Sequence, residues 1–139
     1  MKFYVLIFFI LLLFSCSENK VKKENKKTIE ITDFKFDEEM HDFGKLESGE
    51  IVVYAFIFTN TGKHDLIIED AESDCGCIQV SFPKEPVKPN KKGKIEIEFN
   101  SSGLTGRQLK AIDIHANCKE PKHLVIFAEV KNELFDINY

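Results

Sequence analysis

An all-β sandwich is the fold class that this sequence predicts, and three observations predict it. From residue 29 onward, short runs alternate apolar and polar side chains with the period of a pleated strand. No segment carries an apolar stripe at helical spacing over three turns. Turn-forming residues punctuate the runs at Phe43-Gly44, Ser48-Gly49, Asn60-Thr61-Gly62, the stretch from Pro83 to Gly93, and Ser102-Gly103 with Gly106.

Seven strands are expected, in order. Residues 29–36 begin the series, and residues 51–58 follow as a run apolar at every position. Residues 66–71 and 77–82 are shorter. In 95–99 the alternation is clean, with Ile95, Ile97 and Phe99 on one face and Glu96 and Glu98 in water. In 111–115, Ile112 and Ile114 point inward, and 124–130 closes the set. Seven short strands over about 100 residues favour immunoglobulin-like topology, with a small barrel as the runner-up. The 139 residues leave room for one domain.

What precedes the domain reads as an address. Lys2 is followed by an unbroken apolar run from Phe3 to Phe14, too short for a bilayer-spanning helix of ~20 residues but suited to the core of a signal peptide. The junction Leu13-Phe14-Ser15-Cys16 resembles the bacterial lipobox, although Phe14 is bulkier than the small residue that motif prefers. The resemblance implies cleavage after residue 15 and acylation of Cys16, with two or three chains holding the protein on a membrane where one would bind only marginally.

Residues 16–28 then form an expected tether, rich in Lys20, Lys22, Lys23, Lys26 and Lys27 and poor in apolar residues. Such a stretch either settles on anionic headgroups or serves as a solvated spacer. The sandwich is expected over 29–131 and a tail over 132–139. From residue 29 the chain holds 13 basic and 21 acidic side chains, a net charge of −8, which argues against nucleic acid as a partner.

His41-Asp42-Phe43-Gly44, Ser48-Gly49-Glu50, Phe58-Thr59-Asn60-Thr61-Gly62, Leu66-Ile67-Ile68, Asp74-Cys75-Gly76-Cys77, Pro89 with Lys92-Gly93-Lys94-Ile95, and Gly106 together resemble the bacterial DUF1573 family, a domain of unknown function. The likeness spans about residues 36–130. It implies a small immunoglobulin-type sandwich, related to the ASH and major-sperm-protein domains and frequent among lipoproteins and secreted proteins, with no activity established for the family. Asn90 stands where the pattern favours Gly, and Asn tolerates a left-handed backbone better than most residues.

Cysteines are the first candidates for chemistry. With Cys16 committed to lipid, Cys75, Cys77 and Cys118 remain as candidates for a disulfide or a metal site. Cys75 and Cys77 close a ring only if Gly76 bends the chain; Cys118 is the alternative partner for either, across the sandwich. Two thiolates two residues apart also suit Cu(I) or Zn with a third ligand from Cys118 or a histidine, but no local spacing supplies one. A structural role is favoured. A metal-binding or thiol-redox envelope protein acting through Cys75 and Cys77 is the rival reading.

Other residues carry weaker signals. His41, His64, His115 and His123 are read as turn or surface residues. Glu69, Asp70, Glu72 and Asp74 crowd one strand end, where edge protection is favoured over Ca²⁺ binding. No nucleophile elbow, phosphate-cradling loop or zinc-protease helix is present, so an enzyme and a cofactor are not expected. The all-apolar run 51–58 must turn one set of side chains outward, which makes Val53 or Tyr54 a candidate interface for a protein partner or a second copy. The competing explanation is that the loop 83–89 folds over it. The expected function is therefore a lipid-anchored, non-catalytic binding or scaffolding domain of the cell envelope.

Overall fold

The computed structural model describes residues 30–132. The expected signal peptide, Cys16, the expected tether and residues 133–139 lie outside the described residues. Eight strands form: β1 (Phe34–Phe36), β2 (Met40–Glu47), β3 (Ile51–Asn60), β4 (Ile68–Glu72), β5 (Ile78–Ser81), β6 (Lys92–Asn100), β7 (Gly106–Ala116) and β8 (Lys122–Lys131). They build two four-stranded sheets, ordered β1-β3-β6-β5 and β2-β8-β7-β4, with no helix among the described residues. This is an immunoglobulin-like sandwich whose first strand breaks in two: β1 pairs antiparallel with β3, and β2 crosses to the other sheet to lie parallel to β8.

The alternation read in the sequence sets the faces. Ile95, Ile97 and Phe99 of β6 are fully buried, as are Ile112 and Ile114 of β7 and Leu124 and Ile126 of β8. Phe56 and Phe58 from β3 meet Phe34 and Phe36 from β1 in edge-to-face contacts, with centroids 5.3–6.5 Å apart.

β2 is the strand that the sequence does not announce. Of its eight residues only Leu46 is buried, and its ladder slips between Asp42 and Lys45. Gly44 there has φ +72°, and its N–H donates to the Asp42 carboxylate at 2.7 Å. The His-Asp-Phe-Gly segment is thus a β-bulge within an edge strand, not the turn before one.

The first strand is also shorter than expected, because residues 30–33 run past Asn117, with Thr32 N–H bonded to its carbonyl, before pairing starts at Phe34. Asn132, assigned to the tail by sequence, is buried in the sandwich, its side-chain amide 3.4 Å from Ser48 Oγ and Leu104 O.

Two ends of the sandwich are distinct. At one, the fully buried Asn60 donates to the carbonyls of His64 and Val87 and accepts from Thr32 and Gly62. A Cβ at Gly62 would overlap Thr32 Oγ1 and stand 2.7 Å from Asp33 N, so close approach imposes glycine in this Asn-Thr-Gly turn. Asn90, at φ +61°, holds the left-handed position of the neighbouring turn. At the opposite end Ser101 Oγ lies 2.9 and 3.0 Å from the carbonyls of Glu47 and Glu50 and accepts from Gly49 N–H, tying the β2–β3 turn to the β6–β7 turn.

Candidate functional site

Register decides which face of β3 is the outer one. Phe56 pairs with Ile95, Tyr54 with Ile97 and Val52 with Phe99, so the even-numbered side chains share the inner face with the core of β6. Ile51 and Val53 therefore point outward and are 57% and 55% exposed. Val53 sits on the outer face as one of the two expected positions; Tyr54 does not. Its ring lies 3.4 Å from that of His41, nearly parallel, and contacts Phe43 and Phe56 edge-on.

His41, read from sequence as a turn residue, is thus a stacking partner of Tyr54 across the two sheets. The loop 83–89 does not cover β3; Val87 instead bridges to Leu66 through paired backbone bonds at 2.9 Å.

A second apolar strip lies on the outer face of the other sheet. Met40 and Leu109 are 58% and 67% exposed, and cross-strand pairing aligns them with Val125 and Phe127 of β8. Its signal was the apolar run 124–128, visible in the sequence without its neighbours on β2 and β7.

Cys75 and Cys77 form a disulfide with Cα atoms 5.2 Å apart, closed by a turn over the exposed Gly76 in the crossover from β4 to β5. Cys77 N–H points back at Cys75 Sγ at 3.1 Å, and Cys77 O accepts from Asn100 N–H. That places the ring at the same end of the sandwich as Ile51 and Ser101. Cys118 lies past the far end of the eleven-residue β7, on the order of 30 Å away at ~3.3 Å per residue, so a pair with either is out of reach. Its thiol is free and half-buried; burial, reinforced by the Asp33 carboxylate, holds its pKa above the ordinary thiol value.

Both sulfurs of the ring are bonded to each other. Among the described residues no group of three or more His, Cys, Asp or Glu side chains is placed to share a cation. Glu72 stands 3.6 Å from His115, and Asp113 2.7 Å from His123, as separate exposed pairs on the β4–β7–β8 surface.

At the Asn60 end a cavity of about 610 Å³ opens between the segment 31–33, the turn at Gly62 and residues 119–122. Lys122 Nζ bonds Asp33 Oδ1 at 3.0 Å beside it, and that bond keeps the Asp33 carboxyl below the usual carboxylate range. Lys63 and Lys119 also line it, against Glu120. No nucleophile and base are paired there.

A family model described as a protein of unknown function, DUF1573, matches residues 34–130. Among solved structures, a protein of unknown function from Porphyromonas gingivalis W83 superposes with a TM-score of 0.63 at 16% identity, covering 78% of this chain and 51% of that one. The chain thus spans about half the length of that protein. The ASH/PapD-like domain 7 of human CEP192 gives 0.61 at 13% identity, covering 84% of this chain and 96% of that domain. The Escherichia coli chaperone DraB gives 0.54 at 9% identity, over 71% and 55% of the two chains. Two Vibrio cholerae proteases, the secreted serine protease VesC and VesB, also match, over less than a third of their length. No curated protein sequence matches. At these identities the structural likenesses speak for the fold alone.

Proposed function

Since the chain belongs to the DUF1573 family of proteins of unknown function, we propose that it is a lipid-anchored, non-catalytic binding domain of the bacterial cell envelope. The observation that carries the binding reading is the outer face of β3, where Ile51 and Val53 are more than half exposed in a sheet whose outer neighbours are Glu96, Glu98 and Lys94. Exposed apolar side chains grouped on one strand suit a protein partner. Support for the anchor is in the sequence, where Cys16 follows the apolar run at a lipobox-like junction.

Cys16→Ser tests the anchor. The variant should leave the membrane fraction for the soluble fraction, or accumulate unprocessed, while the parent chain sediments with membranes. An unchanged distribution would overturn the lipoprotein reading.

One observation favours a second reading, a thiol-redox role: the Cys75–Cys77 ring sits in a half-exposed turn, the setting of labile rather than sealed disulfides. Thiol counts on the native protein before and after mild reductant separate the two readings. A ring that opens and recloses with a dithiol while the fold persists supports the redox role, and a ring that resists supports the structural one.

A further inference from the structure

Among the described residues, half of β3 has no neighbour on one side. β1 pairs only with Phe58, Thr59 and Asn60, and the chain then leaves for the other sheet, its last bond to this edge running from Asp37 N–H to Ile57 O at 2.9 Å. That bond also fixes which backbone groups face out. Asn60 N–H donates to Lys91 O across the β6 side, so even-numbered residues bond β6, and the N–H and C=O of Ile51, Val53 and Ala55 point to the uncovered side.

Every other edge among the described residues is blunted. β1 is three residues long with Lys35 at its centre; β2 carries the bulge at Gly44; β4 carries Glu69, Asp70, Glu72 and a register slip; β5 is four residues long with Gln79 and Ser81 outward. Short strands, charges and bulges are how proteins keep sheet edges from pairing. The stretch Ile51-Val52-Val53-Tyr54-Ala55 has no charge, proline, glycine or bulge.

The stretch is also self-complementary. Turned about a two-fold axis through Val53, Ile51 faces Ala55 of the second copy, Val53 faces Val53, and Ala55 faces Ile51. All of these are residues with outward-pointing backbone groups, so about six hydrogen bonds form in hydrogen-bonded register. The outer-face side chains of Ile51 and Val53 then lie against each other. Glu96 and Glu98 on β6 end up three strand spacings from their counterparts, roughly 14 Å at ~4.8 Å each, beyond the ~8 Å screening length of physiological salt; Glu50 comes opposite Phe56 of the second copy, next to the Asp37 that bonds Ile57.

We propose that the uncovered part of β3, from Ile51 to Ala55, is the seam of a homodimer in which two copies pair antiparallel about Val53 and join their sheets. This deepens the binding reading by naming the partner as a second copy of this chain; whether the chain is lipid-anchored is scored separately, by fractionation.

The test uses the full chain in detergent solution. In sedimentation analysis the parent runs as a dimer, while Val53→Lys and Val53→Glu, each placing like charges face to face on the axis, shift it to monomer with at least tenfold weaker association. An equimolar mixture of the two restores the dimer, because Lys then faces Glu. In a Cys118→Ser background, Val53→Cys oxidises to a covalent dimer, since a facing pair with Cα atoms ~5.5 Å apart suits a disulfide. Glu98→Cys does not, and the background chain without either cysteine sets the baseline.

A monomeric parent overturns the proposal, as does failure of the charge mixture to associate when both variants keep parental circular dichroism. A Val53→Cys chain that cross-links no faster than Glu98→Cys overturns it too, and does so even if the charged variants misfold. Capture of a different extended peptide on a monomeric chain counts against it in the same way.

Discussion

Replacing Cys75 by Ser opens the Cys75–Cys77 ring while disturbing little else, because Cys75 is half-exposed and, unlike Cys77, does not pack on the core. A covalent link restricts the unfolded chain in proportion to the loop it closes. With a sequence separation of 2 the loop holds about three residues, and the chain-entropy relation gives about 1.6 kcal/mol at 25 °C. The same relation gives about 4 kcal/mol for the ~40-residue loop that a bond to Cys118 would close. Guanidinium unfolding of parent and variant, followed by fluorescence or circular dichroism, reads the difference, with an unchanged slope confirming that the unfolded ensembles are comparable. A loss near 4 kcal/mol, or a non-reducing peptide map joining Cys118 to either residue, refutes the local ring.

Further outcomes follow from the packing. Gly93→Ala puts a Cβ 2.3 Å from the ring of the fully buried Phe58 and should cost about 1–3 kcal/mol in the same unfolding assay. Tyr54→Ala should cost about 2 kcal/mol, roughly half the 3–5 of a fully buried aromatic. Val53→Ala, one residue along on the outer face, should stay within about 0.5 kcal/mol when measured well below the dimer dissociation range. Cys118 should alkylate more slowly than a free cysteine at pH 8, by timed mass spectrometry, because burial disfavours the thiolate. The linked stability has a definite sign: a thiol whose folded pKa is raised favours folding below its unfolded value of 9.0, and that contribution is lost as pH rises through the folded value.

The strands that the sequence displays are those with one wet face and one dry face. In β6, Glu96 and Glu98 alternate with three fully buried residues, and the pattern is unambiguous. In β3 it is mute about facing, since both sets are apolar; only pairing with β6 turns Phe56 inward and Val53 outward. β2 gives almost no signal because an edge strand with a bulge buries one residue in eight, and its partner β8 is far away in the chain. His41 illustrates the same limit. Its stacking on Tyr54 is made between two sheets, and no local spacing encodes it. For the cysteines the sequence posed the right condition, a bend at Gly76, and the backbone meets it.

The parallel pairing of β2 with β8 couples nearly the two ends of the domain, Met40 opposite Val125. Native structure in the β2 sheet therefore waits on the last strand: until residues 122–131 are available, β2 has no ladder to join and β7 lacks its main neighbour. Contacts of such sequence separation make folding slow, in the millisecond-to-second range typical of β-sandwiches. A chain emerging from its N-terminus therefore cannot complete this sheet until almost all of the domain is available.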